Sequence, residues 1–264
     1  MDTKLIVSAS PHVRSDETTQ SLMANVIVAL CPCVVASAII FGMRALLVTA
    51  VSVIACVVFE WLYCKLLKKP NPISDLSAVV TGIILAMNVP VGMPIGQLII
   101  GDLVAIIIVK QLFGGIGMNF ANPALVGRIV LFISFAGSMN KWVFPDAAVD
   151  QLASATPLAV ADKSKLSLLC GQNVMVQLLS GGLLFGAVFM ATDYVTSPFT
   201  LKGKIVFGIG LGIITSAIRF WGNMAEGVSF AILLMNLWVP YINDLTHQVP
   251  LGYKKPEKKK EAAK

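Results

Sequence analysis

Five ionisable residues stand inside or at the ends of long apolar runs: Asp75, Asp102, Lys110, Arg128 and Asp193. A charge in hydrocarbon is costly, so such residues usually face a bundle interior, pair with one another or line a route for ions. Asp102 is the deepest carboxylate and leads as an ion-route candidate, followed by Asp75 and Asp193, which flank interrupted runs. The plainer role for these end charges is snorkelling to the interface or capping a helix, and a cap suits Asp75, just ahead of Ser77. The planar fork of Arg128 fits a carboxylate or a phosphate, which makes it a candidate partner for Asp102 or for a flavin phosphate.

Asn119, Asn122 and Pro123 bracket the start of another apolar run, after Gly114-Gly115-Ile116-Gly117. Backbone amides at such a helix start can receive an anion or a ring carbonyl, and the same string also reads as a glycine-rich turn with an asparagine cap. Ser154-Ala155-Thr156-Pro157-Leu158 is small and polar. Pro157 restricts Thr156 to extended geometry and presents its hydroxyl sideways, which by itself describes a turn. Cys31-Pro-Cys33 has no matching second pair, so no metal site is expected, and no catalytic constellation is visible.

The elements that must position these residues are membrane helices. Of the 264 residues 56% are hydrophobic and 13% charged, against roughly 25% charged in soluble domains. One aqueous core cannot hide that much apolar surface, whereas lipid solvates it. Apolar segments run over 22–41, 45–64, 76–90, 95–112, 121–137, 172–192, 204–220 and 227–242. They predict an all-α polytopic bundle of about eight spans. A cytoplasmic arm (1–21) precedes the membrane domain (22–242), and a lysine-rich cytoplasmic tail (243–264) follows it. The N-terminus lacks the short apolar core and cleavage site of a secretory signal.

Lys65, Lys68, Lys69, Lys110, Lys202, Lys204 and the tail lysines fall on one face if every segment spans. That face is then cytoplasmic, with both termini, and the connection 138–171 faces outward. The net charge of +6 is therefore explained by membrane anchors and does not imply nucleic acid. A shift of 107 residues lays Gly96, Gly101, Gly115 and Ala124 on Gly203, Gly208, Gly222 and Ala231, which suggests two pseudo-repeated halves with broken helices between them.

Six strings in order carry a resemblance. They are Ser10-Pro11-His12, Asp75-Leu76-Ser77-Ala78-Val79-Val80-Thr81-Gly82, Phe113-Gly114-Gly115-Ile116-Gly117-Met118-Asn119, Asn122-Pro123-Ala124, the Ser154–Leu158 string, and Met190-Ala191-Thr192-Asp193-Tyr194-Val195-Thr196-Ser197-Pro198. Together they resemble the NqrB/RnfD family, and within it the RnfD members, which belong to the Rnf electron transport complex. The resemblance implies FMN joined through its phosphate to the Thr156 hydroxyl, with Ser154, Ala155 and Pro157 forming the attachment motif. Ser154 stands where the family often has glycine. A dedicated extracytoplasmic flavin transferase would make the bond, in agreement with an outward loop. A second, non-covalent flavin (riboflavin or FMN) is also implied. So are other Rnf partners: RnfG with its own flavin, RnfA and RnfE in the membrane, and RnfB and RnfC on the ferredoxin and NAD sides. The complex so implied couples ferredoxin:NAD oxidoreduction to Na+ or H+ translocation in the inner membrane.

One departure stands out. Family members carry further helices between the flavin loop and the Ser180-Gly181-Gly182 helix, where this chain has only residues 159–174. The shortening removes part of the usual flavin surroundings. Two other readings compete: a small-solute permease, because repeated halves with broken helices also describe transporters, and a non-redox structural subunit of the same complex. The chain shows neither a dinucleotide fingerprint nor cysteine clusters for iron–sulfur centres, so NAD and ferredoxin would bind elsewhere.

Overall fold

The computed structural model describes residues 17–69, 73–141, 178–179, 181–221 and 227–246. Every regular element among them is helical. Helix α1 spans Thr19–Phe41 and α2 Met43–Leu66. α3 is Ser77–Met87; α4 is Ile95–Leu103, running on into a π-helical stretch, Val104–Gln111. α5 is Pro123–Ser134 and α6 the short Ala136–Met139. α7 is Leu183–Phe185, extended by a second π-helical stretch, Gly186–Met190. α8 is Leu201–Trp221 and α9 Val228–Thr246.

Four helices are long and apolar enough to cross a bilayer: α1, α2, α8 and α9. At about 1.5 Å per residue each covers the roughly 30 Å hydrocarbon core. They expose large apolar side chains, among them Ile39, Ile54, Ile213 and Trp238, as lipid-facing helices do. The expected spans at 76–90, 95–112, 121–137 and 172–192 are shorter or interrupted elements. Their breaks follow local chemistry. Pro90 and Pro94 separate α3 from α4, and glycines at positive φ (Gly114, Gly115, Gly117) unwind the chain before α5. α1 begins ahead of the expected boundary at 22, where Thr18 caps it by accepting from Ser21 N at 3.2 Å. α9 likewise continues past 242 to Thr246.

α3 sits at the centre. Nine of its residues are buried, as expected for a helix apolar on all sides. Its backbone touches α2 at Gly82, where an added Cβ would lie 2.8 Å from Val53 Cα. The main core gathers Leu85, Leu98, Leu125, Leu131 and Ile232 from α3, α4, α5 and α9.

Candidate functional site

Four of the motif strings border one cavity of about 300 Å³. Ser77, Val80 and Thr81 come from α3, Ile116 and Asn119 from the glycine turn, Asn122 and Pro123 from the start of α5, and Thr192–Val195 from the segment after α7. The amino-terminal half of α1 closes it with Met23, Asn25, Val26 and Ala29. The volume is at the lower end of small-molecule sites, roughly 300–1,000 Å³. Ile84, Val80 and Phe189 give it apolar walls, and Asn119, Asn122, Lys110 and Asp193 give it polar edges.

Local chemistry fixes each edge residue. Asn122 caps α5, its Oδ1 accepting from Ala124 N (3.0 Å) and Leu125 N (3.3 Å), with Pro123 at the first helical position. Those two amides are thus satisfied by Asn122 itself, so the capping role is the one realised. Asn119 differs: its Oδ1 is buried with no hydrogen-bond partner among the described residues. A buried amide oxygen left unpaired costs about 1–3 kcal/mol unless something supplies a donor. Asp193 accepts from Thr196 Oγ1 at 3.1 Å, which ties down the turn that follows α7.

Behind one wall of the cavity runs a buried polar seam. Ser52, Cys56 and Glu60 recur every four residues along one face of α2. Opposite them lie Asp102 of α4 and Lys110 and Gln111 of the π-helical stretch. Ser52 Oγ donates to Asp102 Oδ1 at 2.6 Å, and Cys56 Sγ reaches the same oxygen at 3.4 Å. Lys110 Nζ forms an ion pair with Glu60 Oε1 at 2.5 Å and donates to Ser77 Oγ at 2.7 Å; Gln111 Nε2 donates to Glu60 Oε1 at 2.7 Å. Glu60 and Asp102 are 0% exposed and Lys110 2%. Oε2 of Glu60 and Oδ2 of Asp102 have no hydrogen-bond partner among the described residues. Lys110 and Ser77 border the cavity as well, so cavity and seam share a wall.

Several expectations are corrected. Lys110 is no cytoplasmic anchor: its ammonium is buried against Glu60, because the π-helical winding carries it to the α2 side of its helix. It therefore drops out of the one-sided lysine pattern. Asp75 does not cap α3. The N-cap position is Leu76, in a left-handed conformation (φ 58°) with no side-chain cap bond, and Asp75 ends the preceding turn, Ile73–Asp75, half-buried. Asp102 finds its partners in Ser52 and Cys56, while Arg128 Nη1 donates to Ser229 Oγ and links α5 to α9 away from the cavity lining. Sequence reasoning misses Glu60, although it is the lone carboxylate in 24 residues of apolar helix. Thr156, Ser154, Ala155 and Pro157 lie outside the described residues, as does Ser10-Pro11-His12.

The sequence profile of the NQR2, RnfD, RnfE family matches residues 6–173 and 164–252. The RnfD-type subunit of the Na(+)-translocating ferredoxin:NAD(+) oxidoreductase complex of Acetobacterium woodii is 37% identical, over 98% of this chain and 98% of that protein. The corresponding subunit of the proton-translocating ferredoxin:NAD(+) oxidoreductase complex of Clostridium ljungdahlii is 33% identical, over 93% of this chain and 96% of its own length. That of the ion-translocating oxidoreductase complex of Actinobacillus succinogenes is 30% identical, over 94% and 98%. The first alignment occupies 314 positions against 264 residues here, so it contains at least 50 positions with no residue of this chain. The profile match divides at 164–173, inside the interval where the sequence is short. This multi-pass membrane protein belongs to the NQR2, RnfD, RnfE family.

Proposed function

We propose that this chain is the membrane flavoprotein subunit of an Rnf-type complex, passing electrons through FMN held on Thr156 while the complex moves Na+ or H+. The observation that carries this reading is the convergence of four motif strings on one polar-edged cavity in a chain of this family. The names of its relatives supply the activity, since they are subunits of ion-translocating ferredoxin:NAD(+) oxidoreductase complexes.

In this reading FMN supplies electron transfer. Thr156 holds it by a phosphoester, and Ser154, Ala155 and Pro157 shape the loop that the flavin transferase recognises. Tethering keeps a carrier within reach of its partners without a binding equilibrium. The cavity fits a second, non-covalent flavin ring: apolar walls for the ring faces, and Asn119 with its unpaired oxygen for a ring N–H. Asn122 holds the start of α5 against that edge, and Arg128 fixes α5 to α9. Asp102 lies on the ion route, with Asp193 at the cavity and Asp75 at the turn before α3 as its further stations. RnfA, RnfB, RnfC, RnfE and RnfG complete the assembly in the cytoplasmic membrane, with both termini of this chain on the cytoplasmic side.

The test is mass spectrometry of the chain coexpressed with its flavin transferase, beside Thr156→Val. A mass increase matching an FMN phosphoester on the Thr156 peptide, absent from the variant, supports the reading. An unmodified wild-type chain beside an active transferase removes the attachment site and brings the permease and structural readings forward.

A further inference from the structure

Lys110 belongs to two environments at once. Its ammonium is paired with Glu60, which has no solvent exposure, and the same residue, with Ser77, borders the cavity. Glu60 keeps only Lys110 and Gln111 as partners, both on Oε1, while its Oε2 has none among the described residues. The charged and titratable groups facing it are few: Lys110 from the π-helical stretch, Asp102 one layer along the seam, and Cys56 and Cys64 one turn to either side on α2. Removing the positive charge from that pocket leaves a buried carboxylate that must take up a cation, because an isolated charge there is far too costly.

We infer that Lys110 is the coupling residue between the cavity and the seam: negative charge gained by a ligand in the cavity draws its ammonium off Glu60, and Glu60 then binds one proton or one monovalent cation. The inference rests on the cavity reading given above. The balance is one for one. A single electron, from the reduced iron–sulfur donor side of the complex, adds one negative charge at the cavity; Lys110 keeps its proton and moves between two acceptors; one cation enters at Glu60. No covalent bond in the chain forms or breaks. When the electron leaves, Lys110 returns to Glu60 and the cation is displaced. The unpaired Oδ2 of Asp102, farther along the same seam, is the next acceptor in line. Lys110 is a positioning residue for ion uptake.

The test uses the full chain in lipid nanodiscs with riboflavin as the probe. Binding is read by quenching of riboflavin fluorescence. The state of Glu60 is read by its labelling with a hydrophobic carbodiimide, which attacks protonated buried carboxyls, quantified on the Glu60 peptide by mass spectrometry. With bound riboflavin, dithionite reduction at proton-only conditions is expected to raise Glu60 labelling at least fivefold, and added Na+ to suppress the rise if the metal ion is the cation taken. Dithionite without riboflavin is expected to change nothing. Lys110→Met is expected to label fast in both states, with a ratio near one. Equal labelling of the wild type with oxidised and reduced riboflavin, while quenching shows it bound, overturns the coupling role and leaves the cavity reading standing. Absence of quenching overturns both. The wild-type ratio decides the matter even if Lys110→Met fails to fold.

Discussion

Lys110 Nζ lies 2.5 Å from Oε1 of Glu60 and 2.7 Å from Oγ of Ser77, so one buried ammonium joins α2 to the first turn of α3. Burying such a pair gains little over apolar packing, yet breaking it is expensive. Lys110→Met is therefore expected to cost about 3–5 kcal/mol, because Glu60 is left buried and uncompensated. The double variant Lys110→Met with Glu60→Gln recovers most of that loss. Thermal unfolding of the detergent-solubilised chain, read by size-exclusion chromatography across a temperature series, measures both. Equal losses in the single and double variants would show that the pair carries no coupling energy.

Gly82 sets the approach of α3 to α2. A Cβ there meets Val53 Cα at 2.8 Å and Val53 N at 3.0 Å, backbone atoms that cannot rotate away. Gly82→Ala is expected to destabilise by about 1–3 kcal/mol through forced separation of the two helices. Gly96 in α4 has nothing within 4 Å of its would-be Cβ, so Gly96→Ala is expected to be neutral or to stabilise by up to about 1 kcal/mol from helix propensity. The same unfolding assay compares them.

Asn119 and Asn122 border one cavity yet should respond differently to substitution. Asn122→Ala removes the α5 cap and is expected to cost about 1 kcal/mol of stability. Asn119→Ala removes an oxygen that has no partner among the described residues, so stability holds within about 0.5 kcal/mol. Its effect falls on ligand affinity: losing one hydrogen bond of about 0.5–1.5 kcal/mol weakens riboflavin binding some threefold to tenfold. Fluorescence titration beside thermal unfolding separates the two residues, and loss of stability in Asn119→Ala with unchanged binding would remove it from the site.

The helical membrane class and the motif order are legible because both are written in near neighbours: apolar runs, and short strings whose spacing survives. The seam is not. Glu60 and Lys110 are 50 positions apart, and nothing local in either helix announces the other. Lys110 resembles an anchor because it ends an apolar run, and only the π-helical winding from Val104 turns it inward. Asp75 resembles a cap from spacing alone, but Leu76 takes the left-handed turn ahead of α3 and leaves the carboxylate outside the cap position. Asn122 follows the rule because asparagine followed by proline is a complete local helix start. The offset of 107 marks helix starts loosely, since α8 and α9 begin 106 and 105 residues after α4 and α5, but it does not carry packing: Gly101 lies against Leu131, and Gly208 against nothing within 4 Å.

Whether electron flow and ion movement meet in this chain is tested most directly by reconstituting the whole complex into vesicles with Asp102→Asn. Cation uptake and NAD+ reduction are then followed together, with reduced ferredoxin as donor. Asp102 has no exposure, touches only the seam and does not border the cavity. The expected result is NAD+ reduction within about twofold of wild type and cation uptake lowered at least tenfold, a transport loss of about 1.4 kcal/mol or more. Uptake that stays in step with electron transfer in Asp102→Asn would contradict an ion route through the seam.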